Sequence, residues 1–221
     1  MKCKFQGIHS LSDPEGEQER TLLIRNLTMA LLLLLLALPT SVRGQSAYVD
    51  YYGESLQINN IGMAVLGSWA LANISIGAYG WSQHTGQRSY FHQMNLFWNT
   101  VNLSIAGIAL YSNLTSEYAQ LTGPELMDKQ LKSQRLFLIN AALDVAYVAG
   151  GGFLLYLAPK YPKNELRLRG YGNSVLLQGT FLLVFDLIMF GLQRSHRIDF
   201  LQQISLVPMH DAWGVAFTLN L

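Results

Sequence analysis

The sequence predicts an all-α membrane protein: a four-helix transmembrane bundle behind a signal peptide, with a short extended C-terminal tail. Three observations carry this reading. Half of the 221 residues are hydrophobic and only 13% are charged, about half the charge fraction of an ordinary soluble domain. Four apolar segments, Asn60–Tyr79, Asn95–Leu114, Leu136–Leu157 and Asn173–Leu192, each approach the roughly 20 residues that cross hydrocarbon. A shorter apolar run, Met29–Leu38, lies ahead of them behind Arg25.

That first run is too short to span comfortably and has the length of a secretory signal core. Val42 and Gly44 suit the −3 and −1 positions of a cleavage site before Gln45, which makes 1–44 a leader and signal peptide. The leader is long and carries Asp13, Glu15, Glu17 and Glu19, so an uncleaved signal anchor is the alternative. Either way Gln45 emerges on the far side of the membrane. The polar, aromatic segment 45–59 follows there, then a transmembrane domain over 60–192, then an extracytoplasmic tail over 193–221.

Each span has its own packing logic. The first places Ala64, Ser68 and Ala72 at intervals of four, followed by Gly77 and Gly80; small residues at this spacing let helix backbones approach. The third is introduced by "TGPEL", with Pro124 suited to a first helical turn and Glu125 behind it. It ends in "AGGGF", which thins the helix so that a neighbour can lie against it. The loops are short. With Gln45 outside, the cytoplasmic loops hold Arg88, Lys160, Lys163, Arg167 and Arg169. The outer loop and tail hold Lys129, Lys132, Arg135, Arg194 and Arg197. The overall count of basic residues is therefore balanced, and only the dense third loop and the leader favour this orientation.

The spans are not uniformly apolar. In the second, His92, Asn95, Asn99, Asn102, Ala106 and Ala109 share one stripe at steps of three and four. The third carries Asn140, Asp144, Tyr147 and Gly151 on one stripe, the fourth carries Gln178 and Asp186, and the first carries Asn73. An ionisable residue at this depth is costly and by default marks a functional site. At about 1.5 Å of rise per residue, Asp144 lies near the midplane of its span. Asp186 lies a few residues past its own, and the two displacements point to the same membrane face. Asn73, Asn99 and Asn102 are displaced towards the other face. No Lys or Arg lies within a span. The acids must therefore be protonated, share a proton, hold a cation, or be solvated by amides.

Composition excludes several classes. The net charge is +1 and no basic cluster with interleaved aromatics suggests a nucleic-acid surface. Cys3 is the only cysteine, which excludes disulfides, thiolate zinc and a cysteine nucleophile from the mature chain. His84, His196 and His210 lack metal-ligand spacing, no cofactor motif appears, and no nucleophile–base set identifies catalytic residues. The tail, "HDAWGVAFTLNL", alternates Trp213, Val215, Phe217 and Leu219 with small or polar residues, the period of a strand or extended arm.

The phrases "GSWALANISIGAYG", "YFHQMNLFWNTVNLSIAG", "NAALDVAYVAGG" and "LRGYGNSVLLQGTFLLVFDL" resemble a bacterial family of small integral membrane proteins with no assigned activity. The resemblance covers Asn60 to Leu192. It implies a helical protein of the bacterial inner membrane and brings no catalytic residues with it. Two functions follow from the residues themselves. In the first, the polar interior binds a small ligand or cation, or relays protons. Asp144 and Asp186 are then its ionisable core, with Asn73, Asn99, Asn102 and Asn140 as ligands and His92, Asn95, Gln178 and Tyr147 as secondary members. In the second, the chain is a non-catalytic assembly subunit. It partners the bilayer, itself or another membrane protein, and its amides only fix helix packing. Asp144 and Asp186 are expected to face each other across antiparallel third and fourth helices, because the connection between these is short.

Overall fold

The computed structural model describes the backbone of residues Pro14–Ser205, with side chains for Arg25, Asn26 and Gly44 through Ile204. All of its regular structure is helical: α1 (Pro14–Gln83), α2 (Gly86–Leu114), α3 (Gly123–Leu157) and α4 (Glu165–Ser205). Two short 3-10 turns, Ala158–Lys160 and Pro162–Asn164, join α3 to α4. No strand occurs among the described residues. The alternating tail around Trp213 lies outside them. Met1–Ala47 and Tyr48–Leu221 form two compact units, and the second is the helical bundle.

Three of the helical stretches, Gly44–Gln83, Gly123–Lys160 and Pro162–Ile204, are long and apolar enough to cross a membrane. Helix α2 is not among them. Its asparagines lower its hydropathy, although one whole side remains apolar.

The connections explain the antiparallel order. Only His84 and Thr85 separate α1 from α2, and Gly86 opens α2 with a φ of +64°. A side chain there would strain the backbone, so glycine suits the reversal. Helix α3 starts with a capping box. The Thr122 backbone N–H and its hydroxyl both donate to Glu125 Oε2 at 2.8 Å. Pro124 occupies the first turn, where its missing N–H costs nothing.

The helices reach beyond the apolar segments on both sides. Residues 45–59, which composition marks as an extracytoplasmic segment, are helical, and Tyr51, Tyr52, Ser55, Leu56 and Asn59 are buried. Residues 193–205, which composition marks as the start of the tail, continue α4, with Gln193 and Phe200 buried. Phe200 stacks on Tyr51 at 4.2 Å between ring centroids, and His196 stacks on the same ring at 4.7 Å. Asn60 and Leu192 therefore mark where strongly apolar sequence starts and stops, not where the helices do.

Met63, Leu66, Ala106, Phe137, Leu182, Phe185 and Met189 form one hydrophobic cluster drawn from all four helices. The outward faces are apolar too. Ile61, Val65, Val101, Ile105, Ile108, Val145, Val184 and Ile188 are all exposed. An apolar stripe on both the inside and the outside of a helix is the pattern of a bundle solvated by lipid.

Candidate functional site

Polar side chains occupy the bundle interior in three tiers. The first lies towards the α1–α2 turn. Asn95 Nδ2 donates to the Asn73 carbonyl at 3.1 Å and to Asn73 Oδ1 at 3.0 Å. Gln178 Nε2 donates to Asn95 Oδ1, and to Asn73 Oδ1 at 3.4 Å. Trp69 Nε1 donates to Gln178 Oε1 at 2.9 Å while its ring stacks on Phe181. Asn99 Nδ2 turns back to the Asn95 carbonyl at 2.8 Å. Three helices are thus tied by amides that bond to one another, as buried polar groups require, with Asn99 Oδ1 left buried and unpartnered.

The second polar tier lies at the opposite end, and the apolar segments of the sequence do not reveal it. Gln193 is its centre. Ser55 Oγ donates to Gln193 Oε1 at 2.8 Å, and Gln193 Nε2 donates to Asn59 Oδ1 at 2.8 Å and to the Ser55 carbonyl at 3.0 Å. Gln130 Nε2 donates to the Gln193 carbonyl at 2.9 Å and to Gln193 Oε1 at 3.1 Å. Asn59 Nδ2 in turn donates to Ser133 Oγ at 2.9 Å. A signal for this tier does exist: Gln130, Gln134, Phe137, Ala141 and Asp144 follow one another at steps of three and four.

Between the two lies the acid tier. Asp144 and Asp186, 3% and 5% exposed, bring their carboxyl groups into hydrogen-bond contact, and Asn140 reaches Asp186. The expected juxtaposition across α3 and α4 is therefore present. No amide, hydroxyl or basic group donates to the buried Oδ2 of Asp144, and Asn102 Nδ2 is likewise buried without an acceptor. Both carboxyls line a cavity of about 350 Å³, walled otherwise by Asn102, Asn140, Trp98, Tyr147, Phe137, Phe185 and aliphatic side chains. Val101, Leu143 and Tyr147 on its rim are 59%, 50% and 40% exposed, so the mouth opens sideways between α2 and α3.

The polar residues read from sequence thus divide. Asn95, Asn99, Asn102 and Ala106 are the buried residues of α2, the predicted stripe. Asn73, Asn95, Asn99 and Gln178 belong to the amide tier, in which Gln178 lies about 12 Å of helix rise from Asp186, and none of them lines the acid cavity. Asn102, placed by depth with Asn73 and Asn99, instead lines the acid cavity. On α3 the predicted stripe is rotated. From Gln130 onward the buried residues are Gln130, Gln134, Phe137, Ala141, Asp144 and Gly151, whereas Asn140 and Tyr147 are exposed beside that face, on the cavity wall. His92 precedes the apolar span of α2 and lies beyond the amide tier, beside His84 at 5.3 Å between ring centroids. Burial first, and then the neighbouring His84, hold His92 below the ordinary histidine range. Among the described residues no group of three His, Cys, Asp or Glu side chains is placed to hold a metal ion.

The model of a family of unknown function (DUF6992) matches residues 65–187. The chain belongs to this family. The matched segment includes Asp144, Asp186, Asn102 and the whole amide tier, and stops short of Gln193. The family carries no assigned activity. No curated protein and no solved structure matches the chain.

Proposed function

We propose that this member of the family is a multi-pass protein of the bacterial inner membrane that binds a small ligand in the acid-lined cavity, with one exchangeable proton held between Asp144 and Asp186. The observation that carries the reading is the contact of two carboxyls on the wall of a cavity without a basic partner. Two carboxylates in contact cannot both stay ionised in hydrocarbon, so a proton or a ligand charge completes the pair. All four helices cross the bilayer. For α2 this rests on about 43 Å of rise over its 29 residues and on its apolar outer face of Val101, Ile105 and Ile108. The N-terminal segment is removed as a signal peptide and the tail lies outside. A cysteine placed at the exposed Ser195 will react with an impermeant maleimide from the outer side; reaction only from the cytoplasmic side overturns this topology.

Lipid-soluble carbodiimide tests the cavity, because it adds to protonated carboxyls that it can reach from the bilayer. The intact protein should gain one carbodiimide mass, and Asp144→Asn combined with Asp186→Asn should abolish the gain. In liposomes, proton or cation flux that depends on Asp144 would add transport to binding. The second reading, an assembly subunit, is favoured by the direct amide-to-amide bonds that tie the helices together in both amide tiers. It predicts no labelling and equal flux in empty and loaded vesicles. Asp144→Asn alone should shift the melting temperature by less than about 3 °C, equivalent to about 1 kcal/mol. A neutral amide replaces a protonated partner without leaving a charge unpaired.

A further inference from the structure

We propose that the cavity between α2, α3 and α4 takes an organic ammonium ion bearing an apolar body, a reading that rests on the ligand-binding function above and names the ligand's class. Three features of the wall select it. First, the polar end is acidic and has no basic side chain. Asp144 and Asp186 make contact with each other and with Asn140 only, so the cation that an ionised carboxyl requires must come from the occupant. Second, four aromatic rings stand on the wall among aliphatic side chains. Trp98 and Tyr147 meet edge to face at 4.8 Å, and Phe137 lies across the cavity beside Phe185. Aromatic faces beside a carboxylate attract an alkylated ammonium, whose spread charge needs no close shell of oxygens. Third, Oδ2 of Asp144 is buried with no amide, hydroxyl or basic donor, so the protein itself supplies no positive partner for the acid pair.

Alternative occupants fit less well. An inorganic cation takes about six oxygen ligands in a tight shell, and a cavity of about 350 Å³ lined mainly by carbon is too roomy for one. A neutral apolar molecule of suitable size leaves the one negative charge of the proton-sharing pair uncompensated. The sideways mouth at Val101, Leu143 and Tyr147 opens to lipid, which suits an amphiphile partitioned into the bilayer. The pair carries one negative charge while it shares its proton, and the cation neutralises that charge with the proton retained.

The test uses the full chain in detergent with radiolabelled benzyltrimethylammonium, and with neopentylbenzene as its uncharged isostere. The expected result is saturable binding of the cation, no proton release in weak buffer, and no competition by neopentylbenzene. Trp98→Leu should weaken binding about tenfold, the worth of one desolvated cation–π contact. Asp186→Asn leaves a single acid that is neutral when protonated, and should weaken cation binding about tenfold or more. If neopentylbenzene competes equally and the Asp variants bind unchanged, the ammonium class is overturned while the cavity stands. Absence of binding by either probe, with carbodiimide labelling retained, also overturns the class and leaves the acid cavity in place. Absence of both binding and labelling removes the cavity reading as well.

Discussion

Replacing Gln193 by Leu is expected to lower the thermal midpoint of the purified protein by about 5–10 °C, a loss of about 2–3 kcal/mol. Gln193 is fully buried and its side chain makes four hydrogen bonds, two to α1 side chains, one to the α1 backbone and one to Gln130. Leucine matches its volume closely, so packing is nearly conserved and the change isolates polarity. After the substitution the Ser55 hydroxyl can turn back to the carbonyl four residues earlier, as hydroxyls in helices do. Asn59 Oδ1 has no such escape, and its desolvation is what the variant measures. A single interhelical bond in a membrane averages about 0.6 kcal/mol, so the expected loss is several bonds together plus an orphaned acceptor. Adding Gln130→Leu should cost less than the sum of the two single changes, because both remove the same network. A midpoint within about 1 °C of the unmodified protein would show that the tier fixes register without stabilising the bundle.

Much of the interior is legible in the sequence because it obeys the helical repeat. The stripe on α2 is visible as Asn95, Asn99, Asn102 and Ala106, and the structure buries those four residues. Helix rise alone matches Asp144 and Asp186 in depth, and they are in contact. The departures have physical causes. Hydropathy falls before the helices end, so Ser55, Asn59, Gln130 and Gln193 lie outside the apolar segments in which a polar seam stands out. Helices in this chain do not stop at the edge of the apolar stretch. On α3, the rule that no polar residue faces lipid turns every one of them inward. A lateral cavity offers a third environment, neither core nor lipid, and Asn140 and Tyr147 occupy it. Trp69 lies midway along the first apolar segment, and its N–H completes the amide tier through Gln178. Which amide pairs with which across three helices depends on helix rotation, and no single-helix pattern carries that information.

The glycine run of α3 gives the sharpest separation of neighbouring positions. Gly151→Leu should destabilise the bundle by about 3 kcal/mol or more, while Gly150→Leu and Gly152→Leu should stay within about 0.5 kcal/mol of the unmodified protein. Only the middle glycine faces α4. A Cβ at Gly151 would lie 2.9 Å from the Leu176 backbone nitrogen and 3.0 Å from the Gly172 carbonyl oxygen. Gly172 answers from the other side, where a Cβ would lie 2.9 Å from the Gly151 carbonyl oxygen. These neighbours are backbone and cannot swing aside, so a side chain must push the helices apart. A Cβ at Gly150 or Gly152 meets nothing within 4 Å, and both positions are exposed. The consequence reaches the acids, because Gly151 sits two turns of α3 beyond Asp144. Separating α3 from α4 there also loosens the contact at Gly179, where a Cβ would lie 3.2 Å from the Val148 nitrogen. Gly151→Leu should therefore also weaken retention of any cavity occupant, which neither flanking substitution should do. Thermal melts of the three variants, run in the same detergent, decide the matter. Equal melting of all three would mean that α3 and α4 are not in backbone contact, and the alignment of Asp144 with Asp186 would lose its support.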